Sequence, residues 1–131
     1  MTQPLNKYEE GQVILINKPL KWTSFDVVKK IRNLTKAKTG HAGTLDPLAT
    51  GLLICCTGKF TRKIQEYQSM IKEYTGAFTL GATTPTYDLE SAPENFCSIE
   101  NITEEDIKKT AALFTGEQKQ IPPAQDRKSV V

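Results

Sequence analysis

The sequence predicts an α+β or mixed-sheet domain, and three observations predict it. Two short apolar runs, Val13-Ile14-Leu15-Ile16 and Leu52-Leu53-Ile54-Cys55-Cys56, have the length and character of buried strands. Two further segments carry apolar residues at helical spacing behind a capping hydroxyl. Strand-like and helix-like segments follow one another as strand, helix, loop, strand, helix, strand, helix, without repeats or low-complexity tracts. A chain of 131 residues is one domain's worth and can bury a core without staples.

Taken in order, residues 1–10 read as a mobile arm. The run from Val13 to Ile16 is bounded by Gly11 and by Lys18-Pro19 and reads as a strand. Thr23 offers a helix N-cap with Asp26 three positions on, ahead of Val27, Val28, Ile31 and Leu34 at helical spacing. The other face of that helix carries Lys29, Lys30 and Arg32. Between Lys36 and Gly51, Gly40, Gly43 and Pro47 interrupt every period, so this stretch reads as a long ordered loop. Leu52 to Cys56 is the next strand, and Phe60 to Met70 a helix with Phe60, Ile64 and Tyr67 on one side. Tyr74 to Leu80 alternates large and small residues, the pattern of a half-buried strand. Ala82 to Phe96 is a turn-rich polar connection. Thr103 caps a last helix running to Phe114, with Ile107, Thr110, Ala111 and Phe114 on one stripe and Gly116 beyond its end.

Composition excludes several classes. Hydrophobic residues make up 38% and charged residues 24%, and no apolar run reaches the roughly 18 residues a membrane helix needs. The N-terminal MTQPLNKYEEGQ lacks the apolar stretch of a secretory signal, so a cytoplasmic protein is expected. Cys55, Cys56 and Cys97 are odd in number, and the first two are adjacent rather than spaced to chelate. They read as small buried thiols. His41, the one histidine, has no ligand partner nearby, so no metal is expected. The net charge of +2 hides an asymmetry: residues 1–75 hold 12 Lys and Arg against 6 Asp and Glu, whereas residues 76–131 hold 5 against 9. A basic first half suits a phosphate-bearing partner, although a solvated helix face accounts for it equally.

The stretch that carries chemistry is Gly40-His41-Ala42-Gly43-Thr44-Leu45-Asp46-Pro47-Leu48-Ala49-Thr50-Gly51, a carboxylate in a glycine-rich loop directly before a buried strand. Loops fixed by rigid elements are where catalytic groups tend to lie. Proline biases Asp46 toward an extended backbone. Asp-Pro also serves as an ordinary turn pair, and these features alone do not separate the two uses.

Residues 40–53, GHAGTLDPLATGLL, resemble the catalytic motif of the tRNA pseudouridine synthase B family nearly residue for residue. Two further motifs fall in order. Leu15-Ile16-Asn17-Lys18-Pro19 resembles the family's Lys-Pro motif, and Lys72-Glu73-Tyr74 its Lys-x-Tyr motif. Thr84-Pro85-Thr86-Tyr87-Asp88 resembles the segment that follows, and Leu48-Ala49 looks bacterial rather than like the guide-RNA-dependent relatives. The resemblance covers residues 11 to about 124.

It implies the pseudouridine synthase catalytic fold, incomplete in this chain, and isomerisation of uridine to pseudouridine in RNA. The target it implies is uridine 55 in the T-loop of tRNA, with neither metal nor organic cofactor. Asp46 would be the catalytic carboxylate, either a nucleophile forming a covalent intermediate or a base removing a sugar proton to give a glycal. By the same resemblance Tyr74 stacks on the target base and His41 helps hold the flipped nucleotide. Gly43, Thr44 and Leu45 line the substrate loop, and Lys18 with Pro19 shapes it. Plainer readings stand beside these: a strand tyrosine for Tyr74 and a loop-supporting histidine for His41; Lys63 could contact phosphate, with a solvated lysine as the plainer reading.

Ile121-Pro122-Pro123-Ala124 starts a family segment that normally continues Tyr-Ser-Ala-x-Lys, but residues 125–131 read Gln-Asp-Arg-Lys-Ser-Val-Val and form a divergent tail. Also lacking is the family's Gly-Thr-Tyr-Ile-Arg segment, whose arginine pairs with the catalytic aspartate. The expectation is therefore a truncated or frame-shifted synthase with little activity alone, and the alternative is a noncatalytic RNA-binding fragment.

Overall fold

The computed structural model describes residues 4–122, which fall into two units, residues 1–74 and 75–131. The first unit opens with a short helix, α1 (Lys7–Glu10), inside the stretch expected to be an arm. Asn6 caps it: its side chain accepts from the amides of Tyr8 and Glu9 at 2.9 and 2.8 Å, and the Glu9 carboxylate returns to the Asn6 amide at 2.9 Å. The Asn6 side-chain amide also donates to Thr35 O at 3.2 Å. Residues 6–10 are thus tied down by a cap that the arm reading overlooked; Met1 to Gln3 lie outside the described residues.

Strand β1 (Gln12–Lys18) leads to helix α2 (Ser24–Thr35), then to β2 (Thr39–Ala42) and β3 (Gly51–Thr57). The capping box read from Thr23 and Asp26 is present in both directions, at 2.9 and 2.8 Å. β3 is central. It pairs antiparallel with β1 from Gln12↔Thr57 to Lys18↔Gly51, and antiparallel with β2 from Thr39↔Thr57 to Ala42↔Ile54. The α+β class therefore holds, but every strand pair among the described residues is antiparallel, where a mixed sheet was expected. β2 corrects the reading of Lys36 to Gly51 as loop throughout: its four residues form a strand because β3 supplies their ladder.

Pairing puts Ile14 opposite Cys55 and Ile16 opposite Leu53, so these four share one face of the sheet. There Leu53 and Cys55 are fully buried with Val27 and Ile31 of α2, and Ile14, Ile16 and Leu45 pack around them. On the reverse face Leu15 and Leu52 remain 65% and 62% exposed. After β3 the chain turns at Gly58, whose φ of +56° and position fit glycine alone. A Cβ there would sit 2.0 Å from the carbonyl oxygen of Glu9. The expected helix from Phe60 to Met70 is divided into a 3-10 stretch, Gly58–Lys63, and a short α3, Ile64–Gln68. The Thr61 hydroxyl donates to Gly58 O at 2.9 Å, a local bond characteristic of such tight turns.

The second unit has little regular structure. Thr83 and Glu94 form an isolated bridge, their amides donating to each other's carbonyls at 2.8 and 2.7 Å. The Thr86 hydroxyl meets Asp88 and Ser91 at 2.7 and 2.6 Å within the connection expected to be turn-rich. Helix α4 (Glu104–Leu113) follows its Thr103–Asp106 capping box as read, yet buries none of its residues. No strand forms from Tyr74 to Leu80; Phe78 is almost fully exposed there. The alternation is real, but among the described residues no neighbour offers that segment a ladder of hydrogen bonds. The break after Ala124 and the divergent tail lie outside the described residues.

Candidate active site

The loop from Gly43 to Thr50 is fixed on both sides of Asp46 by α2 and the turn before it. Ser24, the first residue of α2, sits on the apolar stripe with Val27, Val28 and Ile31 and is only 3% exposed. Its hydroxyl accepts from the Leu45 amide at 2.9 Å and donates to the Leu45 carbonyl at 3.1 Å. One buried hydroxyl thus clamps both polar groups of the residue before Asp46, while the Leu45 side chain packs on the core. On the other side, Pro47 O accepts from the Lys21 amide at 2.7 Å. The Ala49 amide closes a turn onto Asp46 O at 2.9 Å. The Asp46 side chain is exposed between these anchors. Its neighbours are held while the residue itself is exposed, which combines access with a fixed backbone.

Lys18 lies at the end of β1 with no exposed surface. Its ammonium donates to the carbonyls of Pro19 and Trp22, and more weakly to Pro47 O at 3.5 Å. A buried cation needs such partners, and here they tie the Lys-Pro turn to the Asp46 loop. The placement makes Lys18 a brace beneath the loop rather than a group that solvent or a ligand can reach. His41, on β2, is half-buried, with Nδ1 2.9 Å from Gly43 O. A carbonyl only accepts, so Nδ1 carries the proton and Nε2 is left to act elsewhere. Gly43 has φ +82°, a conformation that a side chain would strain. Thr44 is exposed. Tyr74 ends the first unit 67% exposed and, among the described residues, makes no hydrogen bond to the loop.

The structure therefore brings Lys18, Leu45, Pro47 and the Asp46 backbone together, and separately His41 with Gly43. Sequence reading missed Ser24 and the Lys21 amide. A signal for Ser24 existed: it is a hydroxyl three and four residues ahead of Val27 and Val28, on the apolar stripe of α2. Among the described residues no cluster of three His, Cys, Asp or Glu side chains is placed to hold a metal. Burial pushes the Cys55 thiol up to about 11, with a smaller contribution from Cys56, so it stays protonated at neutral pH.

Residues 29–128 match the family described as TruB family pseudouridylate synthase (N terminal domain). The chain belongs to this family. A relative from Flavobacterium johnsoniae called tRNA pseudouridine synthase B is 55% identical over 125 residues, covering 89% of this chain and 55% of the relative. Proteins of the same name from Bacteroides fragilis and Chloroherpeton thalassium are 52% and 50% identical, covering 89% and 87% of this chain and 53% and 49% of theirs. The chain thus spans about half the length of the curated relatives it matches. The family's members are pseudouridine synthases, isomerases that act on RNA. Among the described residues no helix is long and apolar enough to cross a membrane.

Proposed function

We propose that the protein to which this chain corresponds converts uridine to pseudouridine in tRNA, at uridine 55 of the T-loop, with Asp46 as its catalytic carboxylate. The observation that carries this reading is an exposed carboxylate on a loop pinned at Leu45 and Pro47, within the segment GHAGTLDPLATGLL of a pseudouridine synthase family chain. The reaction breaks the N1–C1′ bond, turns the uracil and forms a C5–C1′ bond; the C5 proton is released and N1 takes up a proton, so the formula is unchanged. Asp46 serves either as the nucleophile at the sugar or as the base that removes a sugar proton; both uses require an ionised, accessible carboxylate. Gly43, Thr44 and Leu45 present the backbone of the loop to the substrate. His41, its Nδ1 engaged by Gly43 O, turns Nε2 to the displaced nucleotide. Tyr74 stacks on the target base. Lys18 acts through the loop by bracing Pro47. No metal or organic cofactor enters this scheme, residues 11–124 form the first part of the catalytic domain, and the full mixed sheet is completed by sequence beyond this chain.

The test is tritium release from a T-arm hairpin carrying uridine labelled at C5, measured with the whole protein. Asp46→Asn abolishes release while the variant still binds the hairpin; release at the unsubstituted rate would remove Asp46 from the chemistry. A second reading is that this chain alone binds RNA with little turnover. The wide exposure of Leu15 and Leu52 on the reverse sheet face favours it, because a finished domain rarely leaves such a face uncovered.

A further inference from the structure

Beside the loop, the first unit has a basic cleft that the chemistry above does not use. Lys21, Trp22, Asp26, Lys29, Lys30 and Asn33 line an open cleft of about 360 Å³. Four of these residues recur at spacings of three and four along α2, on the face opposite Val27, Val28 and Ile31, so the helix that buries one stripe in the core presents this one outward. The cleft abuts the active loop, since the Lys21 amide is bonded to Pro47 O, one residue past Asp46.

Its charge balance is three lysines against one aspartate. The Asp26 carboxylate is already engaged by the Thr23 amide at 2.8 Å, the cap that starts α2. That backbone bond, then the Thr23 hydroxyl, with a smaller contribution from Lys29, holds Asp26 below its ordinary value and hence ionised. Among the described residues Lys21, Lys29 and Lys30 have no ion-pair partner. Trp22, 39% exposed, adds an aromatic surface at the same place. Cations in a row beside a partly exposed ring, in an open cleft rather than an enclosed cavity, suit a strand of phosphates passing across better than a small anion gripped from several sides.

We infer that this cleft binds the sugar-phosphate backbone of the RNA next to the nucleotide presented to Asp46, with Lys29 and Lys30 on phosphates and Trp22 against a sugar or unpaired base. The inference rests on the proposed action on tRNA and adds to it a second contact region outside the loop.

Trp22 is the chain's one tryptophan, so its fluorescence reports this cleft directly. The 131-residue chain is titrated with an unlabelled T-arm hairpin at several salt concentrations, alongside Lys29→Gln/Lys30→Gln and the single Lys30→Gln. Both lysines are exposed and outside the core, and neither belongs to the catalytic loop. The expected result is quenching or a shift of Trp22 emission in the parent chain. In the double variant, affinity falls roughly tenfold or more near 0.1 M salt and the slope of log K against log salt shrinks by about one per lysine, the single variant giving half the change. Hairpin binding with silent Trp22 and an unchanged slope overturns the inference and leaves the proposed function standing. No hairpin binding by any of the three proteins overturns the inference for this chain, and the tritium-release test on the whole protein then decides the proposed function separately. Quenching by anionic lipid vesicles but not by the hairpin also overturns it, in favour of a membrane surface.

Discussion

Ser24→Ala is the perturbation that most directly tests how the loop is held. The change removes a hydroxyl that bonds the Leu45 amide at 2.9 Å and its carbonyl at 3.1 Å, from a position only 3% exposed. Each neutral bond contributes about 0.5–1.5 kcal/mol net, so the pair sets a loss of about 1–3 kcal/mol. Leu45 is half-buried, and water entering to satisfy its amide keeps the figure from rising further. Urea unfolding of the 131-residue chain should show this as a midpoint lowered by roughly 1 M, with the slope unchanged. The catalytic consequence is larger in proportion, because the next residue is Asp46. Misplacement of a reacting group by about 1 Å costs on the order of 100-fold, so tritium release by the whole protein should fall about 10- to 100-fold in kcat, with KM for the hairpin little altered. Temperature separates positioning from stability: a protein merely less stable loses active molecules and regains kcat on cooling, whereas a misplaced Asp46 keeps kcat low where the protein is fully folded. If the midpoint drops while kcat is unchanged, Ser24 is a structural residue and the reasoning about Asp46 fails. If neither moves, the clamp is absent in solution.

Four further outcomes are expected. Gly58→Ala forces a Cβ to within 2.0 Å of Glu9 O at a φ of +56°, and should cost at least about 2 kcal/mol in urea unfolding, whereas Gly76→Ala, with open space around it, should cost well under half of that. The Cys55 thiol, raised by burial to about 11 from an ordinary 9.0, stabilises the fold fully below pH 9; that contribution is lost as pH rises from 9 towards 11, which a series of thermal melts would reveal. At neutral pH iodoacetamide should label Cys97, which is exposed, while sparing Cys55 and Cys56 until the chain is unfolded. Lys18→Met leaves a similar volume but removes the donor to the Trp22 carbonyl and the added bonds to the Pro19 and Pro47 carbonyls, and should destabilise the first unit by about 1–3 kcal/mol and lower kcat as Ser24→Ala does.

What the sequence discloses depends on the range over which each feature is decided. The strands at Val13 and Leu52 and the helices capped by Thr23 and Thr103 are settled within a few residues, by an apolar run or by a hydroxyl and an acid three positions apart, and they stand where the sequence puts them. β2 is the opposite case: Thr39-Gly40-His41-Ala42 has no strand pattern of its own and is extended because Cys55 and its neighbours, over ten residues later, bond to it. Tyr74 to Leu80 fails in the complementary way. Alternation encodes which face a strand would bury, but a strand exists only where a partner supplies the ladder, and that partner is not encoded in the segment. The site divides along the same line. Asp46 is visible through its local motif, whereas Ser24 reaches Leu45 across 21 residues and Lys18 reaches Pro47 across 29, so their roles appear only once the chain is folded. Lys18 is enclosed by the carbonyls of Pro19 and Trp22, whereas Lys29 and Lys30 of α2 are exposed, a difference that no local pattern in the sequence announces. The chemistry of a residue type fixes what it can bind, and the fold decides whether anything outside can reach it.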